Sequence, residues 1–197
     1  MHFDYAEFRK ARANFDETVF SDGQVHFGLA TFQDGGVEFR GASFSGGGVD
    51  FSGTLLLDGR IVFTGANFAN ASLEFGVRIN SGEVDVREAK ISGGSLGFAN
   101  LGLHGGVINC SKISYPGGAI TFVCADLASG TVDFREADLS NALIGVAKSQ
   151  SSGGTVDLST ANLTHTRLVA NGALEGFRFP PNWSSHGDSE SLEDSTS

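Results

Sequence analysis

The sequence predicts an all-β fold, a four-sided parallel β-solenoid of about seven coils with 24 residues in each coil. Two observations support this prediction: an aromatic repeat at every twelfth position, and glycine pairs between the repeats. The 197 residues include 17 Phe and 28 Gly. This composition supplies large apolar side chains for a core and many tight corners. It disfavours long helices, because glycine destabilises a helix interior.

An apolar residue recurs at every twelfth position through fourteen units, with one interval shortened by a single residue between Phe75 and Val86. A second apolar residue lies two positions before it, and in most units a third lies five positions after it. Each unit therefore holds two short segments of alternating pattern, as β-strands do. We expect the aromatic members of the repeat to form the structural core: Phe15, Phe27, Phe39, Phe51, Phe63, Phe75, Phe98, Phe122 and Phe134.

The length of one coil follows from the volume that its interior must hold. A 12-residue coil would enclose two aromatic rings, a Val and an Ala, and its cross-section would be too narrow for them. A 24-residue coil has room. In alternate units the repeat position is flanked by a charged pair, whereas in the other units, from Phe98 onward, it is flanked mainly by small and apolar residues. A 24-residue coil places these two kinds of unit on opposite faces. Seven such coils make a rod on the order of 33 Å long.

Five segments of the repeat share the pattern Ala, then Asp or Asn, then Leu or Phe: residues 13–15, 66–68, 125–127, 137–139 and 161–163. Through these segments the chain resembles the pentapeptide-repeat family over residues 1 to about 167. The resemblance implies a right-handed four-sided β-helix. The family builds a coil from four units of five residues, whereas here units of five and seven alternate and the two additional residues form a glycine-rich corner.

Outward positions beside the repeat carry a candidate partner-facing wall. In three units an acidic residue precedes the repeat position and an arginine follows it, so that both side chains lie on one face of a strand. We expect ion pairs along a solvated wall rather than a carboxylate pair for acid-base catalysis. The residues are Glu38, Arg40, Asp85, Arg87, Asp133 and Arg135.

We expect no catalytic, cofactor or metal site, and therefore no enzyme. The sequence lacks the G-x-S-x-G, Walker and dinucleotide-binding motifs. Its five His, at positions 2, 26, 104, 165 and 186, share no metal-ligand spacing, although His2 and His26 lie two repeat units apart and could stack. A twelve-residue period does not fit the nine-residue calcium-binding repeat.

Charge and cysteine content restrict the partner and the compartment. The net charge is −10, with 23 acidic and 13 basic residues and no Lys/Arg cluster, so direct binding to nucleic acid is disfavoured. No apolar run approaches the roughly 20 residues of a membrane span. The amino terminus lacks the pattern of a signal peptide, and Cys110 and Cys124 make no disulfide framework. We expect a cytoplasmic protein.

The leading functional hypothesis is a non-enzymatic scaffold for protein–protein interaction. The family resemblance implies an alternative, a DNA mimic that binds and protects a type II topoisomerase. However, four of the acidic residues lie in the tail at 188–194, so the solenoid itself is less acidic than the whole chain. A carbohydrate-active β-helix enzyme is a remote alternative, because such enzymes need longer coils with inserted loops.

We expect the chain to divide into a solenoid at residues 1–167, a C-terminal cap at 168–183 and a disordered acidic tail at 184–197. The repeat is already in phase at Phe3, which leaves the edge of the first coil uncovered. This edge predicts either a homodimer through the N-terminal coil or a longer natural protein.

Overall fold

The computed structural model describes residues 1–172 and 174–184, and within these residues every regular element is a β-strand. The strands are β1 (Glu7–Arg9), β2 (Arg12–Asn14), β3 (Val19–Ser21), β4 (Gln24–His26), β5 (Thr31–Gln33), β6 (Gly36–Glu38), β7 (Ser43–Ser45), β8 (Gly48–Asp50), β9 (Leu55–Val62), β10 (Asn67–Ala69), β11 (Ser72–Glu74), β12 (Arg78–Asp85), β13 (Lys90–Ser92), β14 (Ser95–Gly97), β15 (Gly102–Asn109), β16 (Ala119–Val123), β17 (Asp126–Asp133), β18 (Leu143–Ala147), β19 (Gln150–Ser151), β20 (Thr155–Asp157), β21 (Arg167–Asn171) and β22 (Phe177–Arg178).

The strands stack in parallel into four walls. The first wall is one sheet, β4-β8-β11-β14-β16-β18-β21. The second wall begins with β1 and β5, and the third with β2 and β6; the eight-residue strands β9, β12, β15 and β17 turn the corner between these two walls and join them into one sheet. The fourth wall is β3-β7-β10-β13, continued by bridges through Ser114, Asp138 and Asn162.

Pairing between coils follows a fixed offset of two repeat units. Glu7 pairs with Thr31 and Val132 with Val156, and the same offset recurs along all four walls. The prediction of an all-β solenoid, with about seven coils that each span two twelve-residue units, is therefore confirmed. We number the coils 1 to 7, with coil 1 at residues 1–24 and coil 4, which is one residue shorter than the others, at 73–95.

Coil 4 is short because one corner residue is missing. Glu74 pairs with Asp50 at the full offset, but Arg78 pairs with Leu55 at an offset that is smaller by one. In coils 2, 3 and 5 a turn at this corner contains a residue with positive φ: Leu29, Gly53 and Asn100 respectively. Coil 4 passes from Phe75 to Val77 through Gly76 alone. The short interval in the repeat is thus the loss of one left-handed turn residue.

Aromatic rings fill the interior as continuous stacks. On the first wall the rings of Phe3, Phe27, Phe51, Phe75, Phe98 and Phe122 follow one another at centroid distances of 4.8–5.8 Å. Phe15, Phe39 and Phe63 stack on the third wall, opposite the first. The rings of the first wall meet those of the opposite third wall edge-on across the interior, which is a favourable geometry for aromatic quadrupoles.

The two ends of the stack differ. At the first coil, Phe3, Phe8, Phe15 and Phe20 are only partly buried, and β1, β2, β3 and β4 are edge strands. At the other end the ring of Phe177 meets Phe122 edge-on, and Trp183 stacks on Phe179 and donates to the Leu163 carbonyl. Strand β21 keeps the register of the coils with β18, so the expected boundary between residues 167 and 168 falls inside a strand. Within the expected tail, residues 185–197 lie outside the described part of the chain.

Candidate functional site

The six candidate partner-facing residues occupy outward positions on the third wall of the solenoid. Inward-facing neighbours hold each strand in place: Val37 and Phe39, Val84 and Val86, and Val132 and Phe134 are all buried. In each pair, the residue between the two buried ones and the residue directly after the second therefore face outward. We call Glu38, Arg40, Asp85, Arg87, Asp133 and Arg135 the ion-pair wall.

Each carboxylate of the ion-pair wall accepts from the arginine two residues later. Arg87 donates from Nε to Asp85 Oδ1 at 2.9 Å and from Nη2 to Oδ2 at 2.6 Å. Arg135 makes the same bidentate contact with Asp133, at 3.0 and 2.7 Å. Asp85 also accepts from the Thr64 hydroxyl of the preceding coil at 3.1 Å. Bidentate charge-assisted contacts fix the orientation of both partners.

Toward the N-terminal end, the ion-pair wall becomes a network of charged contacts between coils. Arg40 donates to both carboxylate oxygens of Glu38, at 2.6 and 3.1 Å, and to Asp16 in the coil before it at 3.2 Å. Glu38 also accepts from Arg12, and Arg60 pairs with Glu83 at 2.8 Å. We did not anticipate these contacts between coils from the sequence. The sequence nevertheless contains a signal for such contacts, because Arg60 and Glu83 are separated by the length of one coil.

Burial and pairing act in opposite directions on the carboxylates. Burial of Asp85, whose side chain is 2% exposed, opposes its ionisation, but hydrogen bonds from Arg87 and Thr64 outweigh burial and lower its pKa. Burial also opposes the ionisation of Asp133, but hydrogen bonds from Arg135 outweigh burial and lower its pKa. The pKa of Glu38 is lowered chiefly by its hydrogen bond with Arg40. All three carboxylates are therefore charged at neutral pH.

The pairs recur in every second coil: coils 2, 4 and 6. The coils between them carry Val62 and Thr64, or Asn109 and Ser111, at the same positions. Since adjacent strands are about 4.8 Å apart, successive ion pairs lie about 10 Å apart along the rod. A shallow groove over Asn109 and Ser111, flanked by Arg87 and Arg135, separates the last two pairs.

The histidines and cysteines lie apart from the ion-pair wall. His2 and His26 stack with ring centroids 4.7 Å apart, and the nearest carboxylates are Asp4 and Asp50. In residues 1–172 and 174–184, no group of three or more His, Cys, Asp or Glu is placed to hold a metal ion. Both thiols are free: Cys110 is buried in the Phe position of coil 5, where burial raises its pKa, and Cys124 is exposed at a corner.

The predicted core residues lie in the interior of the coils. Phe15, in the first coil, is partly buried, and the others are at most 1% exposed: Phe27, Phe39, Phe51, Phe63, Phe75, Phe98, Phe122 and Phe134. Apart from Phe15, none of these rings contributes to the outer surface. Recognition along the sides of the rod must therefore use the outward positions of the walls or the corners between them.

No helix in the described part of the chain is long and apolar enough to cross a membrane.

No family model matches the chain, and no curated protein matches it. Among solved structures the chain is similar to QnrB1, a plasmid-mediated fluoroquinolone resistance protein: a trypsin-treated form has 15% identity, covers 83% of this chain and 89% of that chain, and has a TM-score of 0.21. The full-length form has 14% identity, covers 83% and 91%, and has a TM-score of 0.20.

A further solved structure is HetL, a pentapeptide repeat protein involved in heterocyst differentiation regulation from the cyanobacterium Nostoc sp. strain PCC 7120. It has 12% identity, covers 92% of this chain and 94% of that chain, and has a TM-score of 0.26. At these identities and TM-scores the likeness establishes neither the fold nor the function of this chain. The five-residue motifs of the sequence and the four walls of the solenoid are together consistent with a pentapeptide-repeat-like family.

Proposed function

We propose that the protein is a non-enzymatic, cytoplasmic scaffold that binds a protein partner through the ion-pair wall. The supporting observation is the bidentate geometry of Asp85–Arg87 and Asp133–Arg135 on strands that are fixed by a buried core. Arg87 and Arg135 keep about half of their side-chain surface exposed, at 45% and 57%. A partner that meets such preoriented groups loses less side-chain entropy on binding than one that must order them.

The test is capture of the partner by the purified full chain and by two triple variants. Arg40→Gln/Arg87→Gln/Arg135→Gln removes the cations of the ion-pair wall, whereas Ser45→Gln/Ser92→Gln/Ser140→Gln places the same amide side chains on the fourth wall. A protein that is captured by the wild type and by the fourth-wall variant, but lost with the ion-pair-wall variant, supports the proposal. Equal capture by all three chains contradicts it.

The family resemblance suggests a second function, binding to a type II topoisomerase by mimicry of DNA. Mimicry requires rows of unpaired carboxylates, whereas Glu38, Asp85 and Asp133 are each neutralised by an arginine. The ion-pair wall therefore supports a mixed-charge protein interface better than a phosphate-like one. A supercoiling assay with a type II topoisomerase and its inhibitor, with and without the protein, separates the two functions. The proposed scaffold should give no protection.

We also propose that the first coil joins two copies of the chain as a homodimer. The partly exposed rings of Phe3 and Phe8 and the edge strands of the first coil form a surface that a second copy could cover. Burial of those edges would satisfy backbone groups and cover apolar surface together. No nucleic acid or cofactor takes part in this proposal.

A further inference from the structure

A recess lies at the corner between the first and second walls, beside the short corner of coil 4. It has a cavity volume of about 730 Å³, which is within the range of ligand-binding sites. Its sides carry Leu29, Asp50, Leu55, Glu74 and Arg78, and its floor includes Gly53 and Gly76. We call it the corner recess.

Two features of the sequence create the corner recess. The corner residue of coil 3 is Gly53, with φ of +72°, and coil 4 has no residue at all in the equivalent position. The corners of coils 2 and 5 carry the side chains of Leu29 and Asn100. These two coils are three strand spacings apart, so their corner residues are about 14 Å apart. The Leu29 side chain lies over Gly53 at one end of this interval.

The charges around the corner recess lack the pairing that characterises the ion-pair wall. Asp50 and Glu74 are cross-strand neighbours, so two like charges lie side by side. Glu74 accepts from the Ser95 hydroxyl at 2.7 Å, and Asp50 accepts from the backbone and the hydroxyl of Ser52. The basic side chain nearest to Asp50 is the His26 imidazole at 3.8 Å. Within residues 1–172 and 174–184, the guanidinium of Arg78 forms no ion pair. Adjacent like charges destabilise a sheet unless a cation lies between them.

Gly97 accommodates the carboxylate of Glu74. A Cβ atom at this position would collide with Glu74 Oε2, so the side chain of Glu74 lies over the Gly97 backbone. The backbone around Gly76 also lacks a turn hydrogen bond that the corresponding corners of coils 2, 3 and 5 have. The turn hydrogen bond that Ala30, Thr54 and Leu101 each donate has no counterpart at Val77 in the described part of the chain.

We infer that the corner recess binds a segment of a protein partner that presents a Lys or Arg side chain to Asp50 and Glu74 and a carboxylate to Arg78. Leu29, which is 55% exposed, and Leu55 supply apolar contact beside these charges. The inference rests on the proposal that the protein acts by binding a protein partner. It assigns a second contact to that partner, on a different side of the rod from the ion-pair wall.

The experiment is an NMR titration of the full chain with the peptide acetyl-Leu-Arg-Ala-Asp-amide, compared with acetyl-Leu-Gln-Ala-Asn-amide. We expect the charged peptide to shift the amide resonances of Ser52, Gly53 and Gly76, and the neutral peptide to leave them unchanged. Glu74→Gln and Arg78→Gln should each raise Kd about tenfold, as loss of a charged contact does. Glu83→Gln is the matched control in the same coil, and its Kd should be that of the wild type.

An insertion tests the origin of the site. One Asn inserted between Gly76 and Val77 restores coil 4 to the length of its neighbours and should abolish the peptide-induced shifts while the circular dichroism spectrum remains that of the wild type. Shifts that persist in this variant, that map to the ion-pair wall, or that respond equally to Glu74→Gln and Glu83→Gln would overturn the inference. Because no residue of the ion-pair wall is altered, failure here leaves the proposed function standing. Equal capture of the partner by all three chains would contradict the proposed function and leave the peptide result at the corner recess standing.

Discussion

Phe39 and Phe63 stack with their ring centroids 4.8 Å apart and their planes 2° from parallel. They belong to successive coils and occupy the same position of the repeat. Phe63 also meets the rings of Phe44, Phe51, Phe68 and Phe75 at 5.6–6.3 Å. One ring thus connects three walls in the middle of the rod.

Truncation of Phe63 should therefore be costly. We expect Phe63→Ala to lower the free energy of unfolding by about 3 to 5 kcal/mol, because it leaves a cavity that the flat walls cannot close. Urea denaturation followed by circular dichroism measures the loss. Phe15→Ala is the matched control in the same row, where the ring is partly exposed, and should cost less. Equal losses for the two variants would contradict this account of the core.

Stability should fall in acid through the ion-pair wall. Asp85 and Asp133 have pKa values below the ordinary 3.8 in the folded chain. A depressed carboxyl pKa contributes stability that is fully present above the unfolded value and is lost as the pH falls through the folded value. We expect the urea midpoint to decline below about pH 4. It should decline less steeply in Asp85→Asn/Asp133→Asn than in the wild type. Asp34→Asn, at an exposed corner, should keep the wild-type profile.

The two cysteines should differ in reactivity. Cys110 is buried and its pKa is raised by that burial, while Cys124 is exposed. Since the thiolate is the reactive form, Ellman's reagent should label one thiol in the native protein and two in guanidinium chloride. Cys124→Ser should remove the native reaction, and Cys110→Ser should leave it intact. Rapid labelling of both thiols in the native state would show that the coil around Cys110 opens.

A charge at the first coil should separate a dimer. We expect the wild-type chain to be dimeric by light scattering, and Phe3→Lys to be monomeric with the thermal transition of the later coils unchanged. The charged side chain would have to be buried against the second copy without a partner. Thr31→Lys, placed on the outward side of the second wall, is the control and should remain dimeric. A monomeric wild-type chain at high micromolar concentration would refute the dimer.

The coil length and the stacking could be predicted from the sequence because they depend on inward positions that repeat. The pairing of Asp85 with Arg87 was equally accessible, since it follows from the spacing of two along one strand. The corner recess was not. The short interval after Phe75 was visible, but its effect on the surface depends on Gly53 in the coil before and on Asn100 in the coil after. A linear reading of the chain does not bring these residues together.

The eight-residue strands were also missed. Segments such as residues 55–62 contain Asp58 and Gly59, which the repeat assigns to a corner, yet the hydrogen-bonded ladder continues round that corner with a shift of register. Pairing between coils maintains the strand there, against the local preference of the sequence. The bend is therefore a property of the stack and not of the segment alone.

The twelve-residue repeat has a consequence for folding errors. A chain that slipped by half a coil would place Phe51 over Phe39 and still bury a ring against a ring. Such a slip would nevertheless bring the charged outer residues of the third wall against those of the first, and it would displace the short corner of coil 4 from its native neighbours. We infer that the core favours any arrangement that stacks ring on ring, whereas the outer residues and the one short corner select the correct neighbour for each coil.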